Sequence, residues 1–385
     1  MNDLAQRALL PAGLSDMLPP AAGHEAAVVE RMMSVSAARG YERVKPPLVE
    51  FEDSLLAGSG VAMAPHTFRL MDPISQRMMG VRADITLQVA RIAATRLVNA
   101  PRPLRLSYAG QVLRVRGDDM RPERQVGQVG AELIGSAAAE ADAEAVTLAV
   151  AALEAVGVVN LTVDLSSPKL VPAILAGMPR SEAEERRLRH ALDHKDAGAV
   201  ALLGGGASKT LIALLRAAGP ADDALAAMKR LQLPAAAAAE AERVAEVVAL
   251  VRAQRSGARL TFDPVENRGF EYHHGLCFTL FAGRVRGELG RGGRYPAGEN
   301  IRPGSGEPAT GFTLYLDSIL RAIPPPASAR RMFIAHGAAP EIAEKLRGEG
   351  WITVTGLAPA GDVAVEAKRM GCSHALVDGA ARAIK

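Results

Sequence analysis

The chain has 385 residues, 49% of them hydrophobic and 23% charged, which excludes a disordered protein and is too long for one ordinary core, so two or three domains are expected. A formal net charge of +3 lacks the strong basic excess of a dedicated nucleic-acid binder. Two cysteines, Cys277 and Cys372, are too few for a disulfide framework or a four-cysteine zinc site. The opening MNDLAQRALLPAG carries no basic segment followed by a long apolar run, and no uncharged apolar stretch reaches about 18 residues, so neither a signal peptide nor a membrane span is expected and a cytoplasmic location is.

The Pro- and Gly-rich opening LLPAGLSDMLPPAAG predicts an extended lead-in. Val28, Val29, Met32, Met33 and Val35 supply the apolar face of a helix over roughly 25–39, closed by Gly40. GYERVKPPLVEF (40–51) reads as a strand whose two prolines suit an edge or an interface. His66–Met71 and 77–81 form a hairpin across Asp72-Pro73. A helix from about Asp84 to Val98 precedes two strands, 104–115 and 124–134, joined by RGDDMRP. An Ala-rich helix over 137–156 and a strand at 161–166 follow. From Pro168 to Gly257 the pattern is helical, with its longest helix at 235–254. LLGGGASKT (202–210) lacks the glycine directly before Lys209 that a phosphate loop needs, and reads as a helix–helix connection. Strands return at ARLTFDP, HGLCFTLFAG and GRVRGELG; after the linker PPPASA, the tail alternates strand and helix as a small parallel α/β unit.

In QVGAE, the period of two puts Gln128, Gly130 and Glu132 on one strand face, with open space between two polar arms. That face suits either a small polar ligand or ordinary solvent exposure. Arg114 and Arg116 share a face and could fork a carboxylate or phosphate, or belong to a solvated loop together with Arg121. Asp84 suits a helix N-cap as well as a ligand contact, and Thr86 follows it. RGFEYHHG sets Arg268, Tyr272 and His273 before a glycine-rich return. GRGGRY (290–295) alone is too short a glycine signal to indicate a nucleotide.

Four segments, YAGQVLR (108–114), QVGAE (128–132), RGFEYHHG (268–275) and GRGGRY, occur in the order found in histidyl-tRNA synthetase, and the chain resembles that class II family from its lead-in to residue 319. The resemblance implies an α+β fold. Its core is a class II synthetase-like antiparallel sheet flanked by helices, in two parts (1–167 and 258–323). A helical insertion (168–257) and a small C-terminal α/β domain (330–385) complete it. It also implies a histidine-binding set of Asp84, Thr86, Arg114, Gln128, Glu132, Arg268, Tyr272 and His273. His273 replaces the family's second tyrosine, Ala83 its proline, and Arg116 the glutamate of the second signature. In the third signature Tyr315 stands where a small residue is expected, and Ser318 where an arginine meets the ATP phosphates.

An intact amino-acid side beside an altered ATP side is similar to the regulatory branch of the family, associated with ATP phosphoribosyltransferase. DITLQVAR (84–91) and RGEGWITV (347–354) resemble that branch. The resemblance then implies a cytoplasmic, allosteric, non-catalytic subunit of histidine biosynthesis. It would bind L-histidine and self-associate as a dimer. With the short-form catalytic subunit it would form a hetero-octamer. No cofactor, catalytic residue, metal, membrane or tRNA contact is expected. The alternative is a divergent, active histidyl-tRNA synthetase.

Overall fold

The computed structural model describes residues 9–56, 63–117, 122–266, 273–283, 285–299, 304, 306–326, 329–377 and 379–384. Helix formation starts where the proline lead-in ends. α1 (Ala21–Ala37) buries Val28, Met32, Met33 and Ser36, an i, i+4, i+8 stripe with one flanking position. Gly40, at φ +79°, then turns the chain in a backbone region open to glycine.

The next segment corrects the single strand expected over 40–51. Pro46 and Pro47 have no amide hydrogen for a ladder, and the run is cut in two. β1 (Glu42–Arg43) lies at the edge of the main sheet, whereas β2 (Val49–Phe51) joins a separate three-stranded sheet. α2 (Glu52–Leu55) follows; β3 (Arg69–Met71) and β4 (Met78–Val81) form the expected hairpin, with β4 central in the order β2-β4-β3.

α3 (Thr86–Thr95) leads to the long antiparallel pair β5 (Leu104–Leu113) and β6 (Gln125–Ile134), in register with Tyr108 opposite Gly130. α4 (Ala139–Ala155) and β7 (Leu161–Ser166) come next. Six helices then occupy the region after β7: α5 (Leu170–Leu175), α6 (Glu182–Asp193), α7 (Ala197–Leu203), α8 (Ser208–Ala217), α9 (Ala221–Met228) and α10 (Ala235–Gln254). LLGGGASKT is the turn between α7 and α8, as its sequence indicated. The two-residue strand β8 (Gly219–Pro220) sits between α8 and α9.

The sheet is completed by β9 (Arg259–Asp263), β10 (Cys277–Ala282), β11 (Gly290–Ala297) and β12 (Glu307–Tyr315), and α11 (Leu316–Ala322) follows. GRVRGELG is not the strand expected. Gly287, at φ +84°, turns the chain back, and the ladder resumes at Gly290, so GRGGRY is itself strand. The order is β1-β5-β6-β12-β11-β10-β7-β9-β8, antiparallel except for β1·β5 and β7·β9.

The period of two assigns the two faces different work. Val129, Ala131, Phe312, Leu314, Phe278 and Leu165 point into a core shared with α1, α4 and α10. On the other face Leu106, Tyr108, Tyr295 and Ala309 pack with Ile85, Val89, Ala90 and Ala93 of the α3 region. The polar site lies on this second face. Residues 1–324 form one compact unit and 325–385 another. In the second, β13 (Arg331–Ile334), α12 (Pro340–Gly348), β14 (Ile352–Thr355), α13 (Val363–Arg369) and β15 (His374–Val377) build a parallel sheet. An antiparallel edge strand, β16 (Ala380–Ala383), was not foreseen. Among the described residues no helix is long and apolar enough to cross a membrane.

Candidate functional site

Strand parity gathers the site. Gln128, Gly130 and Glu132 of β6 face the same side as Tyr108 of β5 and Gly311, Thr313 and Tyr315 of β12. Arg291 and Gly293 of β11 complete that face. Glu132 is 1% exposed, and a buried carboxylate needs donors. Tyr295 donates to its Oε2 at 2.9 Å and Tyr108 stands 3.3 Å from Oε1. The Tyr108 hydroxyl also meets Thr313 Oγ1 at 2.8 Å and Thr86 Oγ1 at 3.0 Å.

Two glycines make this packing possible. A Cβ on Gly130 would lie 2.3 Å from the Tyr108 hydroxyl, and one on Gly311 would lie 1.8 Å from Glu132 Oε2. The open space in QVGAE is therefore filled by the Tyr108 ring from the neighbouring strand. Burial raises the Glu132 carboxyl to about 8. The Asp84 charge adds to the rise, and the hydroxyls of Tyr295, Thr86 and Tyr108 oppose it.

The second acid arrives from the lead-in to α3. Asp84 Oδ1 accepts the Thr86 amide, the first of α3, at 2.8 Å, from one residue before the N-cap position, which is Ile85. Its Oδ2 accepts Gln128 Nε2 at 3.0 Å, while Gln128 Oε1 accepts the Ile85 amide at 3.1 Å. The fully buried Gln128 thus clamps the first turn of α3 to β6 and holds Asp84 half-buried at the pocket. Asp84 therefore holds the start of α3 and lines the pocket in one arrangement.

Asp84, Thr86, Glu132, His273, Arg291 and Tyr315 line a common cavity of about 30 Å³. Among the described residues that leaves room for about one water. His273 is buried against Gly293. Burial, with the nearby charges of Arg291 and His274, lowers its imidazole to about 3, which keeps it neutral at ordinary pH. Arg268, Tyr272 and Arg121 lie outside the described residues. Arg114 is not part of the cavity wall: it stands past the end of β5, six residues and roughly 20 Å along the strand from Tyr108.

The remodelled third signature is visible on the same wall. Tyr315 is 4% exposed beside the pocket and opposite Gln128. Ser318, 1% exposed, lies in α11 within 3.3 Å of Arg321, which also pairs with Asp317 at 3.2 Å. GRGGRY divides its arginines between faces. Arg291 lines the pocket and donates to Glu288 at 2.6 Å. Arg294 points the other way to buried Asp142 and the carbonyls of Ser136 and Ala138, fixing the start of α4.

The sequence reading omitted Tyr108, Tyr295, Gly311 and Thr313 from the site, although the two tyrosines stood inside quoted segments. Their parity relative to Glu132 needs the register of β5, β11 and β12, which one strand cannot supply.

A model of the histidyl-tRNA synthetase family matches residues 13–319. The ATP phosphoribosyltransferase regulatory subunit of Rhodospirillum centenum is 57% identical over 97% of this chain and 95% of its own. That of Gluconobacter oxydans is 46% identical over 99% and 98%. A solved Bacillus halodurans structure, described as an ATP phosphoribosyltransferase regulatory subunit/histidyl-tRNA synthetase, has a TM-score of 0.81 at 25% identity and covers 94% of this chain and 96% of that one. A Nostoc histidyl-tRNA synthetase, at 19% identity and TM-score 0.80 over 97% and 92%, shares the fold. The chain belongs to the histidyl-tRNA synthetase family, within the branch of the ATP phosphoribosyltransferase regulatory subunits.

Proposed function

We propose that the chain is a non-catalytic partner of the short-form ATP phosphoribosyltransferase catalytic subunit, required for the first step of histidine biosynthesis and for its feedback inhibition by histidine. One observation carries this reading. The acids Asp84 and Glu132 face one cavity with their hydrogen-bond partners in place, while Tyr315 and the buried Ser318 occupy the positions the synthetase resemblance gives to a small residue and a phosphate-binding arginine. Loss of such a cation removes electrostatic stabilisation of the transferring phosphoryl group, typically several kcal/mol.

In this proposal the histidine ammonium meets Asp84 and Glu132 beside Gln128, its carboxylate meets Arg268, and its imidazole lies near Tyr272 and His273. Histidine can change the partner's activity only if it binds one assembly state better than another, and such a difference in affinity is the regulatory logic of this reading. Assembly into a hetero-octamer and a cytoplasmic location belong to the same reading; tRNA binding does not.

The test pairs ATP–pyrophosphate exchange with reconstitution. The purified chain should show no histidine-dependent exchange, and the catalytic subunit should need the chain for activity and become histidine-sensitive with it. Glu132→Ala should weaken histidine binding by about 2–5 kcal/mol, because truncation leaves a charged partner unpaired. Exchange that survives removal of contaminating synthetase would establish the active-synthetase alternative instead.

A further inference from the structure

The helical region holds a second cavity, separate from the polar pocket, of about 220 Å³. It lies at the carboxyl ends of β7 and β9, the parallel pair of the sheet. Ser167 and Pro168 leave β7 into its wall, and Val265 and Glu266 leave β9. Crevices outside the carboxyl ends of parallel strands are habitual ligand sites in open sheets. Val171 and Leu175 of α5 and the buried Leu188 and Leu192 of α6 supply the apolar part of the lining.

A cation is built into this wall. Arg180 donates through Nη1 to the Leu203 carbonyl at 2.7 Å and through Nη2 to the Gly204 carbonyl at 2.6 Å, at the carboxyl end of α7. Its Nε is buried and has no hydrogen-bond partner among the described residues. Two carbonyl contacts orient the guanidinium plane without neutralising its charge, so the group remains a cation able to attract a carboxylate. The neighbouring Arg189 differs, since it faces Glu185 at 3.4 Å. Ser167, Glu185, Arg189 and Glu266 share the wall with Arg180, so apolar and polar groups converge on one cavity.

We propose that this cavity binds a small amphipathic carboxylate, with its apolar body among Val171, Leu175 and Leu188 and its carboxylate toward the Arg180 guanidinium. The size is appropriate, as benzene occupies an apolar protein cavity of about 150 Å³.

The test is a methyl NMR titration of the full chain with phenylacetate. Saturable shifts at Leu188 and Leu192 are expected. Phenylacetamide, equal in shape but uncharged, should bind at least about tenfold more weakly. Val171→Trp fills the cavity from a half-buried position and should lower phenylacetate affinity at least about tenfold, with an unchanged urea midpoint. The absence of saturable shifts at those methyls, or phenylacetate affinity unaltered by Val171→Trp, would overturn the site. Equal affinity for the amide would overturn the role of Arg180. The amide comparison uses the unmodified chain, so it decides that role even where the tryptophan variant folds poorly.

Discussion

Glu132 makes the structure testable by pH alone. In the unfolded chain its carboxyl titrates near 4.5, and in the folded chain burial moves it to about 8. Between those values the folded chain holds a proton that the unfolded chain has released. Its contribution is therefore fully favourable below the lower value, and stability is lost as pH rises through the window. At about 1.4 kcal/mol per unit, the whole span amounts to about 5 kcal/mol. Glu132→Gln keeps the shape and removes the titration. Other groups move as well: burial raises Asp164 and lowers His273, so the informative quantity is the difference between wild type and variant. Urea unfolding between about pH 5 and pH 8.5 should show the wild type losing about 3–5 kcal/mol relative to Glu132→Gln. Parallel pH profiles would refute the buried, proton-holding carboxyl. The same logic applies to the ligand. An ammonium prefers the ionised carboxylate, so histidine binding below about pH 8 should release a proton, seen as a buffer-dependent calorimetric enthalpy.

Three further outcomes follow from the packing. Gly311→Ala forces a methyl against Glu132 and the Ala131 carbonyl, within 2.6 Å of each, and should cost about 1–3 kcal/mol in urea unfolding. Gly23→Ala in α1, where a Cβ meets nothing within 4 Å, should be neutral or slightly stabilising. Asp142→Ala strips both Arg294 and Arg243 of their buried carboxylate and should cost about 3 kcal/mol by the same assay; a loss below 1 kcal/mol would mean that solvent already satisfies those arginines. The chain without its partner should sediment as a dimer joined through the Tyr41–Glu50 region, and a monomer at micromolar concentration would refute that contact.

Much of the fold was legible because it rests on local rules. The period of two in QVGAE, the Asp84 hydrogen bond to the first turn of α3, the Asp72 hairpin and the LTVDLS strand all depend on near neighbours, and the structure bears them out. Failures came where pairing partners are distant. Pro46 and Pro47 announced an irregular strand but not that its halves serve different sheets. GRGGRY is too short a glycine signal to interpret alone, yet its glycines are ladder positions that let Leu314, Phe278 and His273 lie close against the strand. Tyr108 and Tyr295 reach Glu132 only through cross-strand register, which no single segment encodes. The expected roles of Arg268 and Tyr272 stay with the proposal.

The pocket's first wall is also the far end of another structure. α3 begins at Thr86, beside Asp84, and two residues later Gln88 donates to the Pro47 carbonyl at 2.8 Å and to Glu50 at 2.9 Å. Arg91 grips the same Glu50 through Nε at 2.9 Å. A ten-residue helix is about 15 Å long and too stiff to bend between adjacent turns. Any displacement of Thr86 that admits a ligand is therefore a displacement of Gln88 and Arg91, and it pulls on the proline segment around Glu50. α3 thus joins the pocket to the 46–50 segment through one rigid element. Where that segment is held by a second subunit, the work of opening the pocket depends on assembly.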